Sequence, residues 1–358
     1  MKRFVPALLL LCLLLGGCST LFDGSYTHVE PHKVEGGQQG SENISAANYD
    51  SLCRALAVMA ESGTTSGIIA VPDYDQNQLR WDIDRAVQHA LQTSPIAAWA
   101  VEEITCEIGS SGGQSAIAVD IAYVHDRAEI QKIRRVKDLD SARTVIADVL
   151  DDCGTGTVLL VENFEETDFA QIVEDHADTS PQTVMETPET VVNIYPQEGS
   201  RRLVELKFTY QTNRDTLRSM QTQVRSVFDS ATMYVSGYSL ESEKYEQLYS
   251  FLMDFLVEGN LQLKTSVTPA YSLLRHGVGN EKAFAIVYAA MCKEAGLQCQ
   301  VISGTYQGAS WYWNMVCIDG VYSHLDLLQC SRAGKFQTFT DEQMGAYYWD
   351  YDTFPASD

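Results

Sequence analysis

Positive charge is the first thing this sequence is short of. Lys and Arg number 25 against 48 Asp and Glu, a formal net charge of −23. So acidic a chain repels polyanions, which argues against nucleic acid as a partner. It also keeps the folded part off an anionic membrane face. There is no G-x-x-x-x-G-K loop and no dinucleotide fingerprint, so no cofactor is expected. No two cysteines stand as C-x-x-C and none belong to a metal-type cluster, which argues against a zinc site. Long apolar runs are missing as well. The most apolar stretch, Phe4 to Leu15, is shorter than the roughly 17–25 residues that a spanning helix needs.

That stretch has another use. The basic pair Lys2 and Arg3, the apolar run and Leu15-Gly16-Gly17-Cys18 stand in the order of an export signal. Leu-Gly-Gly-Cys resembles the lipobox of bacterial lipoproteins. The resemblance implies removal of residues 1–17, a diacylglyceryl group on the Cys18 thiol and a membrane as partner through that lipid. Two acyl chains hold a protein to a bilayer stably where one does so marginally, so no further anchor is needed. Residues 18–46 are rich in Gly, Ser, Gln and acidic side chains without apolar periodicity, and read as a flexible tether. Cys12 leaves with the signal. The seven cysteines that remain are read as small buried residues, their spacing naming no disulfide.

Beyond the tether the composition is globular: 358 residues at 45% hydrophobic suffice for two or three cored domains. Laid against itself, the chain repeats over roughly residues 66–235. Gly67 to Val71 matches Gly156 to Val161, Thr93-Ser94-Pro95 matches Thr179-Ser180-Pro181, and Ala118 to Arg127 matches Val204 to Arg214, at offsets between 86 and 89. Each copy reads strand, helix, Pro-marked turn, strand, strand, helix. The runs Ile117 to Tyr123 and Leu203 to Tyr210 alternate with period two, as half-buried strands do. Ala128 to Leu150 and Thr216 to Tyr234 have helical spacing. The expected organisation is a repeat unit over 47–150, a second over 151–260 and a different domain over 261–358. Arg127 and Arg214, each just past a strand tyrosine, are either an anion clamp or duplicated helix-start chemistry.

From about Thr265 the pattern becomes a helix and three strands. Gly277-Val278-Gly279-Asn280-Glu281 opens a helix that runs to Ala295-Gly296-Leu297. After it come strands Cys299 to Gly304, Trp311-Tyr312-Trp313-Asn314-Met315-Val316 and Val321 to Asp326. This resembles the core of the transglutaminase-like superfamily, which is papain-like in fold. The fold class is therefore α+β: two related α+β repeat units followed by a transglutaminase-like α+β domain. The resemblance implies a nucleophilic Cys at the helix N-terminus, a His on the second strand and an Asp on the third. A helix N-terminus favours thiolate, and the base must lie within hydrogen-bond reach of the sulfur.

Two of those three are absent. The nucleophile position falls on Glu281, and nothing from Gly277 to Ala285 is a cysteine. Aligning Trp313-Asn314 with the family's Trp-Asn places Trp311 where the histidine belongs; Asp326 alone matches. Cys292 lies about 16 Å along the helix from Glu281 and Cys317 about 20 Å along its strand from Trp311. His324 shares the face of Asp326 and is the best surviving base, while the loop residue His276 is read as solvated. The candidate cleft comprises Glu281, Trp311, Tyr312, Trp313, Asn314, His324 and Asp326, flanked also by Tyr306 and Tyr322, rings suited to stacking on a sugar or an extended peptide. A paired Glu281 and Asp326 would suit acid–base hydrolysis. The plainer account has Glu281 charging the helix start and Asp326 holding a tryptophan or backbone donor. The leading expectation is a non-catalytic envelope lipoprotein that binds a peptide or glycan. The alternatives are an active transglutaminase-like, cysteine-peptidase-like or carboxylate hydrolase, and a surface spacer. The final aromatic and acidic run, Gly345 to Tyr351, is expected to pack back onto the domain.

Overall fold

The computed structural model describes residues 44–254 and 267–357. The export signal, Cys18 and the tether up to residue 43 lie outside the described residues, as does the 260/261 boundary. Residues 44–46 do not continue the tether. Ile44–Ser45 (β1) pairs in parallel with Ile69 and Ala70, and Ala46 is buried.

The first unit runs β1, Tyr49–Ser62 (α1), Ser66–Ala70 (β2), Gln76–Thr93 (α2), Pro95–Ala100 (α3), Val101–Ser111 (β3) and Gln114–Tyr123 (β4), with strand order β1-β2-β4-β3. A reciprocal Asn48–Ser51 box starts α1 and Gly63, at φ 70°, ends it. In β4 the alternation holds: Ile117, Val119 and Ile121 are buried, while Ala118 and Asp120 are exposed. In the second unit Arg127–Ile130 (α4) leads into Arg134–Val136 (β5), Leu139–Asp151 (α5), Gly156–Val161 (β6), Phe169–Thr179 (α6), Glu189–Tyr195 (β7) and Arg202–Thr209 (β8), in the order β5-β6-β8-β7. One topology occurs twice. The pairings put Ile117 opposite Ile69 and Val204 opposite Leu159, all four on the helix side. Ile117 therefore corresponds to Val204, one residue off the match read from sequence.

Two expectations change. Ala128 to Leu150 is not one helix: the chain leaves α4, pairs β5 with β6, and restarts a helix where the Asp138 side chain accepts from Ser141 N. Val136, Ile146 and Val149 join the core of the second sheet, so residues 134–150 pack with the second unit. Nor is β8 half-buried. Its helix side carries Val204 and Leu206, while Leu203 on the outer side packs with Ile96 and Trp99 of α3.

The last sheet, in the order β11-β10-β9-β12, is built from Cys299–Tyr306 (β9), Ala309–Ile318 (β10), Val321–Leu325 (β11) and Tyr347–Tyr348 (β12). Helices Arg214–Val235 (α7), Glu241–Met253 (α8), Pro269–His276 (α9) and Glu281–Glu294 (α10) share one core, in which Phe228, Tyr245, Leu248, Phe284 and Tyr288 are fully buried. Helices α7 and α8, expected with the second unit, thus enclose α10. The Tyr245 hydroxyl donates to the carbonyls of Gln298 and Cys317, tying α8 to the strands.

The repeated Ser-Pro marks a docking element both times. Ser94 caps α3 with Pro95 in its first turn, and α3 lies on the second sheet. The turn after Ser180-Pro181 reaches the last domain: Thr268 N donates to Met185 O at 3.0 Å and Gln221 Nε2 to Thr183 O at 2.6 Å. Arg127 and Arg214 also act alike. Arg214 donates through Nε and Nη2 to Asp152 O at the end of α5, and Arg127 packs against Gly63 at the end of α1. Each is also the first residue of its helix, behind the caps Asp126 and Asn213, which is the duplicated helix-start chemistry.

Candidate functional site

Helix α10 starts where the Asn280 side chain accepts from Ala283 N at 3.1 Å, which leaves Glu281 as its first residue. A Cβ on Gly279 would come within 3.1–3.2 Å of Ala283 and Leu273, so this approach favours glycine. Strand β10 lies across α10 with its residues divided between two faces. Asn314 faces the helix, donating to Ala285 O at 2.9 Å, and Tyr312 lies under the Lys282 ammonium. Trp311, Trp313 and Met315 point to the other face, into a cluster with Tyr306, Tyr322, Met344, Tyr347 and Trp349.

Asp326 ends β11 and caps Leu327–Ala333 (α11), its Oδ1 accepting from Gln329 N at 3.0 Å. Its Oδ2 accepts from Trp311 Nε1 at 2.7 Å and from the Tyr347 hydroxyl at 2.8 Å. The Asp326 carboxylate thus holds an indole, one of the two roles expected of it. An indole N–H donates and has no lone pair in the ring plane to receive a proton, so Trp311 cannot serve as a base. Burial, followed by the Asp326 charge, pushes the Tyr347 phenol well above its ordinary value and keeps it a donor.

His324 is fully buried and fully engaged. Trp313 Nε1 donates to Nδ1 at 3.0 Å, so the neutral ring's proton sits on Nε2, facing Asp341 Oδ1 at 2.8 Å. Burial lowers the imidazole pKa and Asp341 offsets this only in part. Burial alone would raise the Asp341 carboxyl, but bonds from Ser357 and His324 outweigh it and hold it below the usual carboxylate range. As pH falls past the unfolded histidine value of about 6.5, the unfolded chain takes up the proton first, and stability declines. Asp341 adds a further loss at lower pH. Urea midpoints taken across this range are expected to fall on the acid side, and His324→Gln to flatten the decline between about pH 6.5 and 5. An unchanged slope in that variant would refute the assignment.

Five of the seven cleft residues line one place. Glu281, Tyr312, Trp313, Asn314 and Asp326 surround a gap of about 150 Å³ that has no room for the centre of a water molecule. Trp311 and His324 do not line it; they face the aromatic cluster on the other side of the sheet. Of the flanking rings, Tyr306 and Tyr322 belong to that cluster too, so they form no open stacking wall. The C-terminal segment covers it: β12 pairs with the edge of β9, and Trp349 stands edge-on to Trp313 and His324. Gly345 to Tyr351 does pack back; the bond from its Tyr347 to Asp326, and the roles of Asp341 and Ser357 beside His324, are what sequence reasoning missed. Only the acidic, aromatic character of that run hinted at them. Cys292 is buried inside α10 and raised well above the usual thiol value by burial, a setting that disfavours thiolate. All seven described cysteines are free thiols, and His276 is exposed. Among the described residues no group could hold a metal ion, and no helix is long and apolar enough to cross a membrane.

Residues 230–327 match the transglutaminase-like superfamily. The chain carries a transglutaminase-like domain. The match takes in the end of α7, all of α8 to α10 and the three main strands. Among solved structures, a TGase is 9% identical, with 62% of this chain and 63% of that one covered and a TM-score of 0.26. A candidate protease from Parabacteroides distasonis is 10% identical over 72% of this chain and 39% of that one, TM-score 0.25. A candidate cysteine protease from Cytophaga hutchinsonii is 10% identical over 45% and 70%, TM-score 0.26. The chain thus spans under two thirds of the length of the first two. No curated protein matches it.

Proposed function

We propose that the protein is an exported lipoprotein held to the membrane through a lipidated Cys18, whose transglutaminase-like domain performs no thiol catalysis. In this reading the domain supports a ligand- or partner-binding envelope protein. The observation that carries it is the bond from Trp311 Nε1 to Asp326 Oδ2 at 2.7 Å. The hydrogen bond that would orient a histidine is taken by a group that cannot accept a proton. No thiol stands at the helix start to be activated, and the gap there is too small for a substrate. A carboxylate hydrolase built on Glu281 and Asp326 has less support, because Oδ2 of Asp326 already takes two donors.

Labelling and turnover test the two halves of this reading separately. Labelled fatty acid should enter the wild-type protein and not Cys18→Ala; equal labelling of the two defeats the anchor. Incubated with amine donors, glutamine peptides and envelope peptides or glycans, the wild type should match the heat-inactivated blank. Turnover that disappears in Glu281→Gln or Asp326→Asn would establish an enzyme instead.

A further inference from the structure

Apart from the gap at Glu281, the described residues form an acid-rich hollow beside Arg214, an apolar groove along the back of α10, and a cleft between the two repeat units. The third has the chemistry of a site. It measures about 700 Å³, within the range of small-molecule sites. One wall is the outer face of the second sheet, with Val158, Glu205 and Lys207; the other is the stretch from the end of β4 into β5, with His125, Glu129, Lys132 and Arg134.

Its charge runs against that of the chain. On a protein of net charge −23, three cations, Lys132, Arg134 and Lys207, line one opening against two carboxylates, Glu129 and Glu205. Lys207 pairs with Glu205 at 3.2 Å, whereas exposed Lys132 and Arg134 have no ion pair among the described residues. Beneath them the floor is polar and buried. Glu205 is 5% exposed, accepts from Asn193 Nδ2 at 2.9 Å, and is held below the usual carboxylate range because bonds from Asn193, Lys207 and the Trp99 indole outweigh its burial. The buried Trp99 indole N–H is turned toward this carboxylate but falls short of a well-formed hydrogen bond to it. A donor so loosely held can take a better-placed acceptor from a ligand. His125 stacks on Trp99 with centroids 4.0 Å apart and makes a flat wall. The site is not a by-product of duplication. Where the second unit has Glu205 and Lys207, the first has Ala118 and Asp120 in the same register.

We propose that this cleft binds an acidic saccharide: its carboxylate is taken by Lys132, Arg134 and Lys207, its hydroxyls by Glu205, and a ring or carboxyl oxygen by the Trp99 N–H. A neutral sugar leaves the cations unused. A simple anion leaves the Trp99 and Glu205 floor unused and meets the Glu205 charge. The site stands apart from the catalytic question, since none of its residues touches the transglutaminase-like gap. Calorimetric titration of the full chain in detergent with digalacturonate, lactose and inorganic phosphate tests it. Saturable binding of digalacturonate is expected, about ten-fold tighter than lactose or phosphate, and weakened at least about ten-fold in the double variant Lys132→Glu, Arg134→Glu. Both side chains are exposed, so that variant should melt where the wild type does. Glu205→Gln should weaken digalacturonate but not phosphate. No saturable binding, equal affinity for phosphate, or indifference to the charge reversal each overturns the proposal, and none bears on whether the other domain is an enzyme.

Discussion

Alanine in place of Asp326 is expected to lower folding stability by about 4 kcal/mol, the largest loss for any single polar side chain in the last domain. The carboxylate serves three donors at once: the Trp311 indole, the Tyr347 hydroxyl and Gln329 N. Losing the cap alone costs about 1 kcal/mol. The two side-chain donors, left in an apolar cluster where water does not reach, add about 1–3 kcal/mol each, with some relief as neighbours shift. Asp326→Asn retains a cap oxygen and should lose about half as much. Urea denaturation gives the comparison directly; a shift under about 1 kcal/mol for alanine would mean that this carboxylate does not hold the sheet to its C-terminal cover.

The second large effect is expected at Gly304. A Cβ there would collide with the Tyr348 carbonyl and lie 2.8 Å from the Trp313 ring, so the edge strand β12 and the indole approach β9 only because this residue has no side chain. Valine should cost about 3 kcal/mol. The loss should be local in character: β12 leaves the sheet edge, and the segment carrying Tyr347, Trp349 and Ser357 becomes open to proteases. Limited proteolysis resolves this, with cleavage after residue 335 expected in Gly304→Val under conditions where the wild type stays intact. Equal resistance would show that the cover is held by other contacts.

Both predictions rest on residues whose roles differ in how far the sequence discloses them. Asp326 was legible, because its place at the end of the third strand after a glycine-opened helix, one strand after Trp-Asn, fixes its neighbourhood. That Asp326 would hold a tryptophan was legible too, and the partner is Trp311. Tyr347, Asp341 and Ser357 were not. Their bonds join positions 16 to 21 residues apart across a sheet edge, and no periodicity records a contact of that kind. The same limit explains the helix assumed over 128–150. Its apolar spacing is helical at both ends, and only the need of β6 for an edge partner opens the middle into a strand. The half-buried pattern assigned to Leu203 to Tyr210 failed for a related reason: a strand alternates only when one face meets water, and α3 of the preceding unit covers the other face here.

The docking of one unit onto the next bears on how the molecule would transmit force. Ser94-Pro95 begins the piece that seats on the second sheet, and Ser180-Pro181 begins the piece that seats on the helices of the last domain. The modules are thus connected in series, each gripping its successor through the same stretch of the repeat. Tension passed from one module to the next would load these two joints, so the coupling between modules depends on two short Ser-Pro segments and not on any strand shared between sheets.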